Sequence, residues 1–211
     1  MSLSIILVLG STILISLLAF SDRERMNILR FSPYAVKHAG QWYRFLTSGF
    51  VHANYAHLGM NMLVLYFFSD AIMVSFTNRF PSYSSDVLFI LMYVLALVVS
   101  GLPAMMRHKD NAHYAAVGAS GAVSAVVFAT ILLNPLGEMG LLLIPIRIKS
   151  FLFGFLYLLG EAVLAKRGRT NIGHEAHMAG AAFGITFLIV LDWHVLPEFL
   201  DAIAMWFNSF F

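Results

Sequence analysis

Six stretches of this chain are each long and apolar enough to cross a bilayer as a helix: residues 3–20, 56–74, 87–106, 115–133, 146–164 and 176–191. A hydrocarbon core of roughly 30 Å takes about 20 helical residues, and a chain in lipid must satisfy its own backbone hydrogen bonds. The composition agrees. Of 211 residues, 60% are hydrophobic and 11% charged, with a mean hydropathy of +0.80. A soluble domain carries roughly 25% charged residues, so this chain lacks the polar surface for a water-facing globule. It reads as an all-α, polytopic membrane protein, one six-helix domain over residues 1–211.

Other classes fall away quickly. The net charge is only +2 and the basic residues sit in short loops, so no stripe suits a nucleic acid. With no cysteine, disulfides, thiolate metal sites and a cysteine nucleophile are excluded. No Lys or Arg precedes residues 3–20, unlike a secretory signal with its basic start, so this stretch reads as a retained first span. Residues 21–55 form a loop too long for a tether. It holds five of the thirteen basic residues together with Trp42, Tyr43 and Phe45, a mixture suited to the headgroup region. Asn134-Pro135-Leu136-Gly137 is a turn signal, and the aromatic tail 197–211 is too short to span and reads as interfacial.

The second, fourth and sixth spans cross in the same direction, and the unusual polar residues fall at their N-terminal ends. These are His57 and Asn61, then Ser120, then His177. Polar groups at membrane depth are costly enough to be functional candidates. If residue 115 opens a helix, Ser120 lies roughly 8 Å below the boundary at 1.5 Å per residue. A serine hydroxyl becomes nucleophilic when a base takes its proton, and histidine is the usual base near neutral pH. Acyl transfer also needs donors for the developing oxyanion. The Ser120 N–H at a helix N-terminus is one, and His57 with Asn61, spaced i, i+4, offer two more. Gly180 and Gly184 have the small-xxx-small spacing that lets membrane helices approach, and Gly118, Ala119, Gly121 and Ala122 make the facing segment slim. Their contact would bring His177 toward Ser120.

Taken together, these residues resemble the rhomboid intramembrane serine proteases of the compact six-helix bacterial type. The matching motifs are Gln41-Trp42-Tyr43-Arg44, His52, His57-Leu58-Gly59-Met60-Asn61, Gly118-Ala119-Ser120-Gly121 and Ala176-His177-Met178-Ala179-Gly180 with Gly184, in the family's order. The resemblance implies that Ser120 is the nucleophile and His177 the base, a dyad without an aspartate. It also implies an oxyanion hole of His57, Asn61 and the Ser120 amide, and a structural role for Trp42 and Arg44. No cofactor is implied. The implied partners are single-span membrane-protein substrates and the bilayer, with the fifth span as a lateral gate, in a bacterial cytoplasmic membrane. One residue departs from the pattern: Ser124 stands where many relatives carry a tyrosine against the histidine.

Ten of the thirteen basic residues, Arg23 to Arg44, Arg107, Lys109, Lys166, Arg167 and Arg169, share the face of the candidate site. The positive-inside rule turns that face to the cytoplasm, whereas the resemblance turns it outward; the expectation here follows the resemblance. His174-Glu175-Ala176-His177 lacks the His-Glu-x-x-His spacing of zinc proteases and has no evident third ligand, so no metal is expected. His108, His113 and His174 read as exposed loop residues, His52 as a structural hydrogen-bonding group, and Asp70, Glu161 and Asp192 as carboxylates reaching the interface. The alternatives are a non-catalytic rhomboid-like protein that binds membrane clients, and a small transporter.

Overall fold

The computed structural model describes residues 1–140, 147–167 and 173–210. Ile146 of the expected fifth span, Arg169 of the basic face, Phe211 of the tail and the side chain of Arg167 lie outside the described residues. The architecture is an all-α membrane bundle. Its long helices are α1 (Leu3–Phe20), α5 (Tyr55–Arg79), α6 (Ser85–His108), α7 (Ser120–Leu133), α8 (Ser150–Arg167) and α9 (His174–Leu191). The first loop folds into α2 (Arg23–Leu29), α3 (Pro33–Ala39) and α4 (Arg44–Thr47), followed by a 3₁₀ turn, Ser48–Phe50.

Helix α7 is the axis of the bundle. Every residue from Gly121 to Leu132 is buried, which is why the segment is apolar on all sides rather than striped. Helices α5, α6 and α9 enclose it. By contrast α1 keeps Leu3, Leu7, Leu14 and Leu18 exposed, a surface for lipid tails. The approach of α9 to α7 depends on glycine. A Cβ on Gly180 would run into the backbone carbonyl of Gly121, and one on Gly184 into that of Ala125.

Four described helices, α1, α5, α6 and α9, are long and apolar enough to span. The expected fourth span is shorter than its apolar run. Residues 115–119 are not helical, and α7 has 14 residues, about 21 Å at 1.5 Å per residue against a core of roughly 30 Å. Their backbone donors go to the first loop instead. Ala116 N–H donates to Phe31 O at 3.0 Å, Gly118 N–H to Ser48 O at 2.9 Å and Ala119 N–H to His52 Nε2 at 3.3 Å. The helical-rise estimate of the depth of Ser120 therefore does not apply. Ser120, the first residue of this short helix, is partly buried. The expected fifth span begins at Ser150 as helix α8.

The loop from 21 to 55 is ordered by Arg44, which is buried. Its guanidinium donates to Asn27 O at 2.8 Å, Arg30 O at 2.7 Å and Gln41 Oε1 at 2.6 Å, while Trp42 stays largely exposed. Beyond the turn at 134–137 lies an antiparallel ribbon absent from the all-α expectation, β1 (Glu138–Gly140) with β2 (Arg147–Lys149). The tail is a helix, α10 (Val195–Asn208). Arg79 pins its start, donating to Asp192 Oδ2 at 2.7 Å and to Glu198 Oε2 at 2.6 Å, and Trp206 packs on Phe151 of α8.

Candidate active site

Ser120 is the first residue of α7 and His177 lies in the first turn of α9. The glycine-mediated contact between these helices brings the two side chains together. His177 Nε2 and Ser120 Oγ are 2.7 Å apart, within normal hydrogen-bond length. On the other side of the ring, His177 Nδ1 lies 2.9 Å from Glu161 Oε1. An ionised carboxylate only accepts, so the Nδ1 atom carries the proton. Nε2 then presents its lone pair to the serine hydroxyl, which donates to it.

Glu161, on α8, is the residue that sequence reasoning missed. It does not reach the interface but is buried, its other oxygen 2.5 Å from His174 Nδ1. His174 also departs from expectation, being buried at the start of α9 rather than exposed in a loop. A hint did exist, since a carboxylate in an apolar helix demands partners and His174 and His177 open the next one. Glu161 supplies the third ligand that the metal reading lacked beside His174 and His177, one ligand atom from each lying within 4.8 Å of the others. Those donor atoms are engaged with each other as hydrogen-bond partners.

Helix α8 also accounts for Ser124. The Tyr157 hydroxyl is hydrogen-bonded to Ser124 Oγ at 3.2 Å, and its ring lies 6.5 Å from that of His177, tilted by 32°. The aromatic wall beside the imidazole is thus supplied by α8, and Ser124 anchors it. Tyr157 and Glu161 are one helical turn apart, so both meet the histidine from the same face.

The donors expected for an oxyanion are partly assembled. No described side chain caps α7, and the Ala119 N–H is taken by His52. Among the described residues, the Ser120 N–H is then the first donor without an acceptor at the positive end of the helix. His57 Nδ1 accepts from the Ala53 N–H at 3.4 Å, which leaves its proton on Nε2. That ring lies against Gly118, where φ is +118° and a Cβ would come 2.6 Å from the ring carbon Cε1. Glycine is thus required there twice, for conformation and for space. Asn61 is buried. One of its amide hydrogens goes to His57 O at 2.9 Å, within its own helix.

His52 holds the approach to Ser120, as a structural group should. Its Nδ1–H donates to Ser16 Oγ at 3.0 Å, Ser16 in turn donates to Phe50 O at 2.8 Å, and Nε2 accepts from Ala119. Burial, with His57 nearby, lowers its pKa from 6.5 to about 4. The folded state therefore needs the neutral ring. That contribution is complete above about pH 6.5 and is lost as pH falls toward 4, a change of about 3 kcal/mol. Thermal unfolding between pH 7 and 4 is expected to show this loss, and His52→Gln to show lower stability at pH 7 with a flatter profile. An equally steep profile in the variant would assign the effect elsewhere.

The Rhomboid domain family model matches residues 39–193, which include His52, His57, Asn61, Ser120, Tyr157, Glu161 and His177. RHOMBOID-like protein 12, mitochondrial, of Arabidopsis thaliana is 30% identical over 174 residues, covering 77% of this chain and 50% of that protein. Presenilin-associated rhomboid-like protein, mitochondrial, of Mus musculus is 27% identical over 153 residues, 68% of this chain and 36% of its own length. Rhomboid-like protein 11, chloroplastic, of Arabidopsis thaliana is 26% identical over 171 residues, with 76% and 56% covered. The chain spans between about a third and a little over half of these relatives. With a polytopic helical bundle and a family match over most of its length, this chain belongs to the rhomboid family.

Proposed function

We propose that this protein is an intramembrane serine endopeptidase that hydrolyses peptide bonds in or next to transmembrane segments of single-span membrane proteins. The observation that carries this is the 2.7 Å contact between Ser120 Oγ and His177 Nε2, with the imidazole proton held on the far nitrogen. Ser120 Oγ attacks the scissile carbonyl carbon while its proton passes to His177 Nε2. The oxyanion is received by the Ser120 N–H, His57 Nε2–H and the Asn61 amide. Collapse expels the amine, which takes the proton from His177, and leaves an acyl group on Ser120. Water, deprotonated by the same nitrogen, then releases the acid and restores the hydroxyl.

The proposed location is a bacterial cytoplasmic membrane, with the site open to the outside; both points rest on likeness to the compact bacterial type. The mitochondrial and chloroplastic names belong to the relatives. The rival function, a non-catalytic binder of membrane clients, drew its support from Ser124, which here bonds the hydroxyl of Tyr157 beside the His177 ring. The test is a serine-directed fluorophosphonate probe on detergent-solubilised protein. Labelling is expected for the unmodified chain and its loss in Ser120→Ala and His177→Ala. Equal labelling of all three would rule the proposal out.

A further inference from the structure

We propose that Glu161 is the positioning carboxylate of this site, setting the tautomer and orientation of His177 from α8, so that the working unit is Ser120–His177–Glu161. This rests on the hydrolase reading above and extends it, since the resemblance implies a dyad with no acid. Three observations carry it. Glu161 Oε1 lies 2.9 Å from the nitrogen of His177 that does not face the serine. Its second oxygen is clamped 2.5 Å from His174 Nδ1, so two donors from the first turn of α9 fix one carboxylate. The group is buried and belongs to an apolar helix, where an ionised side chain without such partners is costly.

The chemistry needs this arrangement. With Nδ1–H donated to the carboxylate, Nε2 is the only lone pair of the imidazole, and it faces the hydroxyl. The opposite tautomer would place a proton between ring and serine and block the transfer. When His177 accepts the serine proton it becomes an imidazolium, and the carboxylate beside Nδ1 offsets that charge without itself being protonated, as in soluble serine-protease triads. Glu161 touches neither substrate nor the reacting atoms. Its effect passes through His177, and Tyr157, a turn earlier on α8, walls the same ring.

The measurement compares unmodified protein, Glu161→Gln, His177→Ala and the double variant, reconstituted in liposomes. Its readouts are kcat and KM on a single-span reporter, the fluorophosphonate labelling rate and the thermal midpoint. Glutamine keeps the shape and loses the charge. The expected result is a fall in kcat and labelling rate of about 10²–10⁴-fold with KM unchanged. In the His177→Ala background the same substitution should add nothing. A Glu161→Gln protein within threefold of the unmodified rate, or one whose loss persists undiminished without His177, would overturn the assignment. A second readout needs neither turnover nor a stable Gln variant: a far-downfield His177 Nδ1–H proton resonance. It is expected in unmodified protein and in Ser120→Ala, and its absence from both would overturn the assignment even if the protein cleaves. Its presence in a protein that neither labels nor cleaves would keep the geometry and remove the hydrolase reading.

Discussion

Exchanging Ser120 or His177 for alanine, singly or together, is expected to bring cleavage of a reconstituted reporter to one common residual level. In the proposed function the two groups act as a unit. Without the base, the hydroxyl keeps its proton; without the hydroxyl, the base has nothing to activate. In soluble serine proteases such losses are grossly non-additive, and each single removal costs roughly 10⁶-fold. Both side chains are small or only partly buried at helix starts, outside the apolar packing of the core. The thermal midpoint of Ser120→Ala should therefore move little, whereas His177→Ala, which takes one donor from the buried Glu161 carboxylate, should lower it. The check is the rate of reporter cleavage in liposomes for the two single variants and the double. If the loss in the double variant, relative to the unmodified protein, equals the product of the two single losses, the residues act independently.

Gly180→Val is expected to lower both stability and activity. A Cβ at this position meets the Gly121 carbonyl and lies 2.7 Å from its carbon and 3.1 Å from its Cα. These are backbone atoms of α7 and cannot swing aside, so the helices must part. Overpacking of this kind costs about 1–3 kcal/mol, occasionally more. Gly180 is one turn from His177, so the separation falls on the 2.7 Å contact with Ser120. Misplacement of a catalytic group by about 1 Å can lower a rate by roughly 10²-fold. Differential scanning fluorimetry and probe labelling should register both losses. Gly10→Ala serves as the control, because its Cβ would meet nothing within 4 Å. Equal behaviour of the two variants would mean that α7 and α9 are not held by this contact.

Much of the site is legible in the sequence because helix direction alternates with each crossing. Polar residues opening the second, fourth and sixth spans must lie at similar depth, and the small residues at 118–122, 180 and 184 indicate which helices touch. Glu161 escapes this logic. It lies toward the end of α8, close to Lys166 and Arg167, where a carboxylate reaches water as readily as it turns inward. Only the packing of α8 on α9 reveals its direction. Tyr157 is hidden for the same reason, since an aromatic in an apolar helix looks like core until Ser124 gives its hydroxyl a partner. The start of α7 is illegible in another way. Residues 115–119 are as apolar as the helix that follows, and only the acceptors at Phe31, Ser48 and His52 draw their backbone out of helical form. A three-residue ribbon such as β1 and β2 leaves no periodicity to read.

The most direct measurement is mass-spectrometric mapping of the fluorophosphonate adduct on the folded protein in detergent. A serine hydroxyl activated by a neighbouring imidazole should carry one phosphonyl group per chain, confined to the peptide containing Ser120 and absent after His177→Ala. An adduct on any other residue, or undiminished modification of Ser120 in the His177→Ala protein, would contradict nucleophilic activation at the mouth of α7.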